Sequence, residues 1–406
     1  MATRNGSLTR LLTINTGSSS LKAALYHHDG AERLDLAAEM EEIGHPGGHM
    51  RIEDGHGTTL LDQEGHSADH GAALHTLLSW LQQHGYVKDL RAIGHRIVHG
   101  GSAYSEPQRV SDAVVEALRA LVPIDPNHLP QAIEAIEIIG RTFPDLPQVA
   151  CFDTAFHRHM PRVAQMYALP RRLEGVGVVR YGFHGLSYEF VMHELRRLDP
   201  DAVQGRVIIA HLGNGASMAA VKGGGAVDTT MGFTPTGGLV MGTRSGDLDP
   251  GVLLYLLESE GMSAADVNRL VNRQAGLLGV SGSDADMRVL LARESSDDRA
   301  AEAVALFCYQ AKKFLGALAA VLGGLDTLIF TAGIGEHSAP IRERICDGLE
   351  FLGIRVDGHR NARHAAVISR DGSPVTVRVI PTDEDLMIAR HTYGIISTQG
   401  ERRVPV

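Results

Sequence analysis

The sequence predicts an α/β protein built as two related domains with a ligand cleft between them. Its 406 residues exceed what one ordinary core organises, and length alone suggests two or three domains. A stretch near the start, "INTGSSSLKAALY" (14–26), returns in the middle as "AHLGNGASMAAVK" (210–222). Superposing Gly17 on Gly213, 196 residues later, lays Asn15 on His211, Ser18 on Asn214 and one Ala-Ala pair on another. Short strand-like segments alternate with helical ones in both halves, and no low-complexity linker divides them.

In the first half, "RLLTIN", "LKAALYH", "HMRIEDG" and "TTLLD" read as short strands within residues 10–62. "HGAALHTLLSWLQQHG" (70–85) has helical apolar spacing, and "RAIGHRIVHGG" is a strand running into a Gly turn. Helices are expected around 111–122 and 128–143, followed by the buried strand of "PQVACFDTAF". The pattern then restarts with "RVIIAHLG", "ASMAAVKGG" and "AVDTT" as strands. Helices are expected at 186–198, 249–260 and 263–275, with a long one in "DDRAAEAVALFCYQAKKFLGALAAVLGG". "DTLIFTAGIGEHSAPIRERICDGLEFLG" reads as strand, Gly turn and helix, with Ser338 as N-cap and Pro340 in the first turn. "TVRVIP" and a helix from Thr382 close the chain.

Composition narrows the function. Hydrophobic residues make up 44% and charged residues 21%, an ordinary globular balance. A net charge of −10 argues against nucleic acid as partner. The three cysteines, Cys151, Cys308 and Cys346, form no CxxC pair, so neither a disulfide framework nor a cysteine zinc site is indicated and a reducing cytoplasm fits. The polar start "MATRNGSLTR" has no signal-peptide core, and no uninterrupted apolar run approaches the ~18 residues of a membrane span. Most of the 21 histidines, such as His66 and His70 in "GHSADH", read as solvated surface residues.

The two related turns suit phosphate. Asn15, Ser18, Ser19, Ser20 and Lys22 crowd one tight turn, where Gly17 lets backbone approach a ligand. Hydroxyls and amides can donate to phosphate oxygens, and Lys22 adds a point charge. Alone, such a turn is most simply a plain hairpin. Its counterpart "HLGNGAS", with His211, Asn214 and Gly215, changes the balance: two opposed polar turns would grip different parts of a polyphosphate. Neither turn is a GxxxxGK[ST] loop, and no GxGxxG opens a helix after a strand. A third Gly turn, "TAGIGEHS" (331–338), suits a flat ring packed on backbone, or simply helix–strand packing.

Charged groups frame the centre. Arg96 in "GHRIVHGG" and Arg244 in "GLVMGTRSGDLDPG" stand in Gly-rich surroundings, and His184 lies in "YGFHGLS". Asp153 ends the buried "CFDTAF" strand as a loop anchor or a site acid. Glu384 lies in a helix first turn where Thr382-x-x-Asp385 is a capping-box pattern; otherwise it is a metal ligand.

Through these motifs, together with "MGFTP" and "EDLMIARHT", the chain resembles the acetate/propionate kinase family over nearly its whole length and in family order. The resemblance implies a duplicated actin-like ATPase (ribonuclease H-like) fold and a cytoplasmic homodimer. It implies a first domain of residues 1–153 plus 387–406, with a returning C-terminal helix, and a second of 154–386. It implies Mg²⁺, with Mn²⁺ as an alternative, and reversible transfer from ATP to acetate giving ADP and acetyl phosphate, with no nucleic-acid or membrane partner. By motif, Asn15 and Glu384 would hold the metal. Ser18, Ser20, Lys22 and the loop His211, Leu212, Gly213, Asn214 and Gly215 would contact ATP phosphates. Asp286, Met287 and Arg288, with Gly333, Ile334, Gly335, Glu336 and His337, would hold the nucleoside. Arg96 would bind the carboxylate, Asp153 matches the active-site acid, and His184 and Arg244 match the transition-state stabilisers.

Four departures from the family pattern stand out: "PIDPNH" (123–128), Thr236-Gly237, Met287 and His337. The first two bear on acyl-chain preference, the last two on adenine preference. The apolar side chains Val98, Ile124, Phe183 and Pro235 are the expected substrate-pocket walls. The rival readings are a propionate or other short-chain acyl kinase on the same fold and a non-catalytic ATP-binding sensor. A sensor needs no carboxylate clamp, so both arginines, Asp153 and Glu384 argue against it.

Overall fold

The computed structural model describes residues 9–17, 19–29, 31–65 and 67–400. Ser18, His66 and the polar segment 1–8 lie outside the described residues. Chain contacts group into two units, Met1–Ala155 with Asp383–Val406, and Phe156–Thr382. Residues 154–155 and 383–386, expected in the second domain, group with the first.

The first unit carries β1 (Thr9–Thr16), β2 (Leu21–His28), β3 (Glu32–Glu41), β4 (His49–Asp54), β5 (Thr59–Glu64), β6 (Leu90–Ile97), β7 (Gln108–Arg109) and β8 (Gln148–Phe152). They form one sheet in the order β5-β4-β3-β2-β1-β6-β8-β7. The second unit carries β9 (Arg206–Leu212), β10 (Ala216–Lys222), β11 (Gly225–Thr229), β12 (Thr327–Thr331) and β13 (Thr376–Val379), in the order β11-β10-β9-β12-β13. The repeat in the sequence is therefore a repeat of topology. β3-β2-β1-β6-β8 and β11-β10-β9-β12-β13 share one order. In both, the first three strands pair antiparallel and the last three parallel. The apolar runs "LLTIN" and "VIIAHL" are buried on both faces, as central strands of such sheets require.

Helices cover these sheets. Helix His70–Gln83 starts where the Asp69 carboxylate accepts from Ala72 N at 2.8 Å, and it buries Leu74, Leu77, Leu78 and Leu81. It packs with helix Leu129–Thr142 over a core that includes Leu12, Ile14, Leu25 and Ile93. The C-terminal helix Glu384–Gly400 lies on β1, β2, β6 and β8.

Five local expectations are corrected. β3, "ERLDLAAEME", was not foreseen as a strand. "AGIGEH" is a short helix, Ala332–His337, entered through Ala332 at φ +63°. Ser338 occupies the N-cap position of helix Ala339–Cys346, but its hydroxyl makes no capping bond. The Thr382–Asp385 capping box does not form. Asp383 caps the final helix, accepting from Leu386 N at 2.8 Å, while Thr382 turns to Ser187 and Asp385 to Thr13. His70 is not merely solvated, since its Nε2 lies 2.9 Å from the Gly17 carbonyl. Helix Asp298–Leu322 is also, by length and composition, apolar enough to cross a membrane. It packs instead on β9, β10 and β11 and on helices 276–281, 287–293 and 339–346. The packed sides account for its buried apolar residues, among them Val304, Phe307, Leu315 and Leu318.

Candidate active site

In the first unit, four predicted residues meet. Asn15 ends β1, Arg96 lies on β6, Asp153 follows β8 and Glu384 opens the C-terminal helix. The Arg96 guanidinium donates to Asp153 through Nη2 (2.7 Å to Oδ2) and Nε (3.2 and 3.1 Å), and through Nη1 to Asn15 Oδ1 at 3.1 Å. Its Nε also lies 3.6 Å from Glu384 Oε2, to which Asn15 Nδ2 donates at 3.4 Å. Asp153 is fully buried and is fixed by its backbone N–H, which donates to Ile97 O at 2.9 Å. Burial pushes its carboxyl up, against the opposing pull of Arg96. Both Asp153 oxygens accept from Arg96, the arrangement of a carboxylate paired with an arginine. Burial pulls the Arg96 guanidinium down, but the charges of Asp153 and Glu384 carry it above its ordinary value.

The turn between β1 and β2 closes through Gly17 N donating to Ser20 O at 2.8 Å. A Cβ on residue 17 would stand 2.5 Å from Ser20 Oγ, so any side chain there would force the Ser20 hydroxyl to turn away. Lys22 pairs with Asn15 across β1–β2 and with Glu39 across β2–β3, and its Nζ lies 2.7 Å from Glu39 Oε1. Burial lowers this ammonium, but the hydrogen bond and charge of Glu39 carry it above its ordinary value.

In the second unit, His211 stands near the end of β9 and Leu212 closes it; Gly213, Asn214 and Gly215 form the turn to β10, with Gly213 N donating to Gly215 O at 3.0 Å. His184 holds a left-handed conformation (φ 57°) at the N-cap of helix Gly185–Leu198. Its ring stacks on His211 with centroids 4.1 Å apart. Arg244 is anchored by Nη1 donating to Pro235 O at 3.0 Å. A Cβ placed on Gly215 would meet His184 Nε2 at 3.1 Å and Arg244 Nη1 at 3.7 Å. The two groups thus converge on the hairpin turn. Gly242 lets the Arg244 loop close in, for a Cβ there would stand 2.1 Å from Asn214 Oδ1.

The nucleoside candidates form two further groups in this unit. Gly333 is exposed with open space at its Cβ position, and His337 is exposed. Ile334 is half-buried and Gly335 is packed on the Phe330 backbone. Glu336 accepts from Thr382 N at 3.1 Å. The fully buried Arg342 donates to the Gly335 and Glu336 carbonyls, both at 2.8 Å, and so fixes this helix. Asp286 caps helix Met287–Arg293 and pairs with Arg288 at 2.6 Å, while Met287 is buried. Of the expected pocket walls, Val98 is buried and Ile124 half-buried in the first unit, and Phe183 and Pro235 are buried in the second.

Comparison with known proteins places this arrangement. A family model described as the acetokinase family matches residues 10–390. An acetate kinase of Rhodopseudomonas palustris is 47% identical over 394 residues, covering 95% of this chain and 98% of that protein. The chain belongs to the acetokinase family. Two solved structures of the family agree in fold. A Porphyromonas gingivalis acetate kinase has TM-score 0.85 and 38% identity over 96% of this chain and 100% of that one. A propionate kinase from Francisella tularensis has TM-score 0.89 and 34% identity over 95% and 99%.

In the first-unit cluster, Asn15 and Glu384 are the side chains whose oxygens are of the kind that binds a hard cation such as Mg²⁺. Asn15 Nδ2 donates to Glu384 Oε2 at 3.4 Å while Asn15 Oδ1 accepts from Arg96, and no group of three or more His, Cys, Asp and Glu side chains forms a closed cage among the described residues. An open site of one or two side chains, completed by water and phosphate, is what this ion prefers. Sequence reasoning missed two residues here. His128, at the start of helix Leu129–Thr142, is held by Asp125 (Nδ1 to Oδ1, 2.7 Å), and its charge lowers the Asp153 carboxyl. Asp385 is buried, accepts from Thr13 Oγ1 at 2.9 Å, and is pushed up to about 6 chiefly by burial. His128 was legible only as part of the altered "PIDPNH" segment, and Asp385 was hidden behind the capping pattern.

Proposed function

We propose that the protein is an acetate kinase, catalysing reversible in-line transfer of the γ-phosphoryl group of ATP to acetate, giving acetyl phosphate and ADP. The observation that carries this reading is the convergence of His184 Nε2 and Arg244 Nη1 on the Gly215 turn. Two anions must approach each other in this reaction, and donors aimed at the equatorial oxygens stabilise the charge that develops there.

The division of labour follows the two clusters. Arg96 binds the acetate carboxylate. Asp153 holds the guanidinium through both its oxygens, and Asn15 and Glu384 complete its surroundings. Acetate is already ionised near pH 7, so no proton need be removed before attack. Asp153 is therefore an orienting group and not a general base. In the second unit the turn His211 to Gly215 receives the phosphates, and in the first unit Lys22 and Ser20 are the residues with that role. Mg²⁺, or Mn²⁺, held by Asn15 and Glu384 would neutralise phosphate charge. The exposed backbone at Gly333 and the neighbouring Ile334 to His337 receive the nucleoside, together with Asp286 to Arg288.

Acetate is the preferred acid because Val98, Ile124, Phe183 and Pro235 are mostly bulky. One extra methylene changes discrimination in an apolar pocket by only ~1–3 kcal/mol, so propionate is a weaker substrate and butyrate a poor one. The measurement is kcat/KM for the three acids in the wild type and in Val98→Ala. Preference for propionate in the wild type would overturn the acetate assignment. An unmoved ratio in the variant would remove Val98 from the pocket. A homodimer is supported by helix Pro250–Glu258, whose Val252, Leu254, Tyr255 and Leu257 are all exposed. A reducing, cytoplasmic setting is supported by the three cysteines, Cys151, Cys308 and Cys346, whose side chains are all buried.

A further inference from the structure

Behind the stacked histidines lies a second layer of hydroxyl groups, all within the second unit. His184 Nδ1 is 2.8 Å from Ser217 Oγ, and the same Oγ is hydrogen-bonded to the Tyr188 hydroxyl. His211 Nδ1 is 2.8 Å from Ser187 Oγ, and the Thr382 hydroxyl donates to that Oγ at 2.9 Å. Ser187, Ser217 and Tyr188 are fully buried. Local structure produces the match. His184 caps its helix, so Ser187 and Tyr188 fall in the first turn, facing the sheet. Ser217 and His211 are direct cross-strand partners in β9–β10 and share a face.

We infer that Tyr188–Ser217 and Thr382–Ser187 are two hydroxyl relays that position His184 and His211 and set both rings as Nε2–H donors toward the Gly213–Gly215 turn. A serine hydroxyl has one proton, so its direction is decided by its other partner. Thr382 donates into Ser187, which leaves the Ser187 proton for His211 Nδ1. A phenol is a stronger donor than an aliphatic alcohol, so Tyr188 donates into Ser217 and the Ser217 proton goes to His184 Nδ1. A neutral imidazole whose Nδ1 accepts must carry its proton on Nε2. Those are the nitrogens directed at the turn: the Cβ position of Gly215 lies 3.1 Å from His184 Nε2, and that of Gly213 lies 4.0 Å from His211 Nε2. Both rings then donate to a phosphate oxygen while uncharged, and stacking at 4.1 Å costs no repulsion between cations. The four hydroxyl residues are positioning residues. Their catalytic consequence rests on the proposed phosphoryl transfer; the tautomers do not.

The test reads tautomers directly. Imidazole ¹⁵N shifts of ¹⁵N-histidine-labelled full-length protein, without substrate, should report the Nε2–H form for His184 and His211. Ser217→Ala should remove that preference at His184 and leave His211 unchanged, and Ser187→Ala should do the converse. In steady-state assays each alanine variant should lose roughly 10–100-fold in kcat, with KM for ATP changed little, as losses of supporting hydrogen bonds behind working groups do. Ser217→Thr, which keeps the hydroxyl, should restore most of it. An Nδ1–H form of either histidine in the wild type overturns the inference. So does a Ser217→Ala protein with unchanged tautomer and kcat. Should an alanine variant fail to fold, the wild-type spectrum and Tyr188→Phe decide. A wild type with Nε2–H histidines but no phosphoryl transfer would sink the functional reading and leave the relays standing.

Discussion

Gly215→Ala places one methyl group where His184 and Arg244, the proposed transition-state stabilisers, meet. The backbone tolerates it, because residue 215 is not among the glycines with positive φ. The added Cβ would stand 3.1 Å from His184 Nε2, inside the 3.4 Å at which ordinary contact begins, and 3.7 Å from Arg244 Nη1. A hydrogen-bonded oxygen sits about 2.7–3.1 Å from its donor. The methyl therefore occupies the acceptor's place in front of His184, and relief of the contact moves the ring by a few tenths of an ångström. Losing one such donor costs roughly 10²–10³ in kcat. Gly213→Ala is the control. Its Cβ meets Gly215 O at 3.3 Å and reaches His211 Nε2 only at 4.0 Å, so its loss should be several-fold smaller. A coupled assay of ADP release with saturating acetate and ATP measures both, and circular dichroism checks the fold. A folded Gly215→Ala enzyme with kcat within about threefold of wild type would refute the convergence argument.

Other outcomes follow from the same geometry. Arg244→Ala should lower kcat by roughly 10²–10³ or more with the circular dichroism spectrum unchanged, since the proposed role of its guanidinium is to stabilise charge present mainly in the transition state. Asp153→Asn should lower activity at every pH, and raising pH should not restore it; recovery at high pH would reveal a titrating base. His95 and His157, both pushed down to about 4 by burial, should make stability fall in acid. Their unfolded value is about 6.5, so the neutral folded forms contribute fully above that value. The contribution, roughly 3 kcal/mol each, is lost as pH drops through 6.5 toward 4. Urea titrations at pH 7 and pH 4.5 measure it, and His95→Asn should lower stability at pH 7 while flattening the pH dependence. Leu254→Glu should leave the circular dichroism unchanged and convert the sedimenting species to a monomer.

The parts legible in the sequence are those where residue type and backbone role coincide. The paired hairpins around Gly17 and Gly213 announce the duplicated sheets, because the same strand–polar turn–strand chemistry recurs. Arg96, Asp153, Asn15 and Glu384 could be named from motifs, yet their mutual bonding could not, since β1, β6, β8 and the C-terminal helix bring them together across the whole first unit. β3 was hidden because "ERLDLAAEME" is rich in helix formers. Pairing on both sides, with Leu36, Ala38 and Met40 buried at every second residue, overrides that preference. "AGIGEH" looked like a turn because of its glycines. The buried Arg342, ten residues after Ala332, holds its last carbonyls and makes it helical. Ser187, Ser217 and Tyr188 carried no motif of their own. Their spacing three and four residues after His184, and opposite His211, was the only signal.

The proposed activity is phosphorylation of acetate with Arg96 as the carboxylate clamp. Purified protein incubated with ATP, Mg²⁺ and acetate, with hydroxylamine to trap the acyl phosphate, measures it directly. Acetyl hydroxamate should form with the wild type, and no detectable product with Arg96→Ala at acetate concentrations that saturate the wild type. A wild-type protein that binds ATP but forms no hydroxamate, or an Arg96→Ala enzyme with unchanged kcat/KM for acetate, would contradict it.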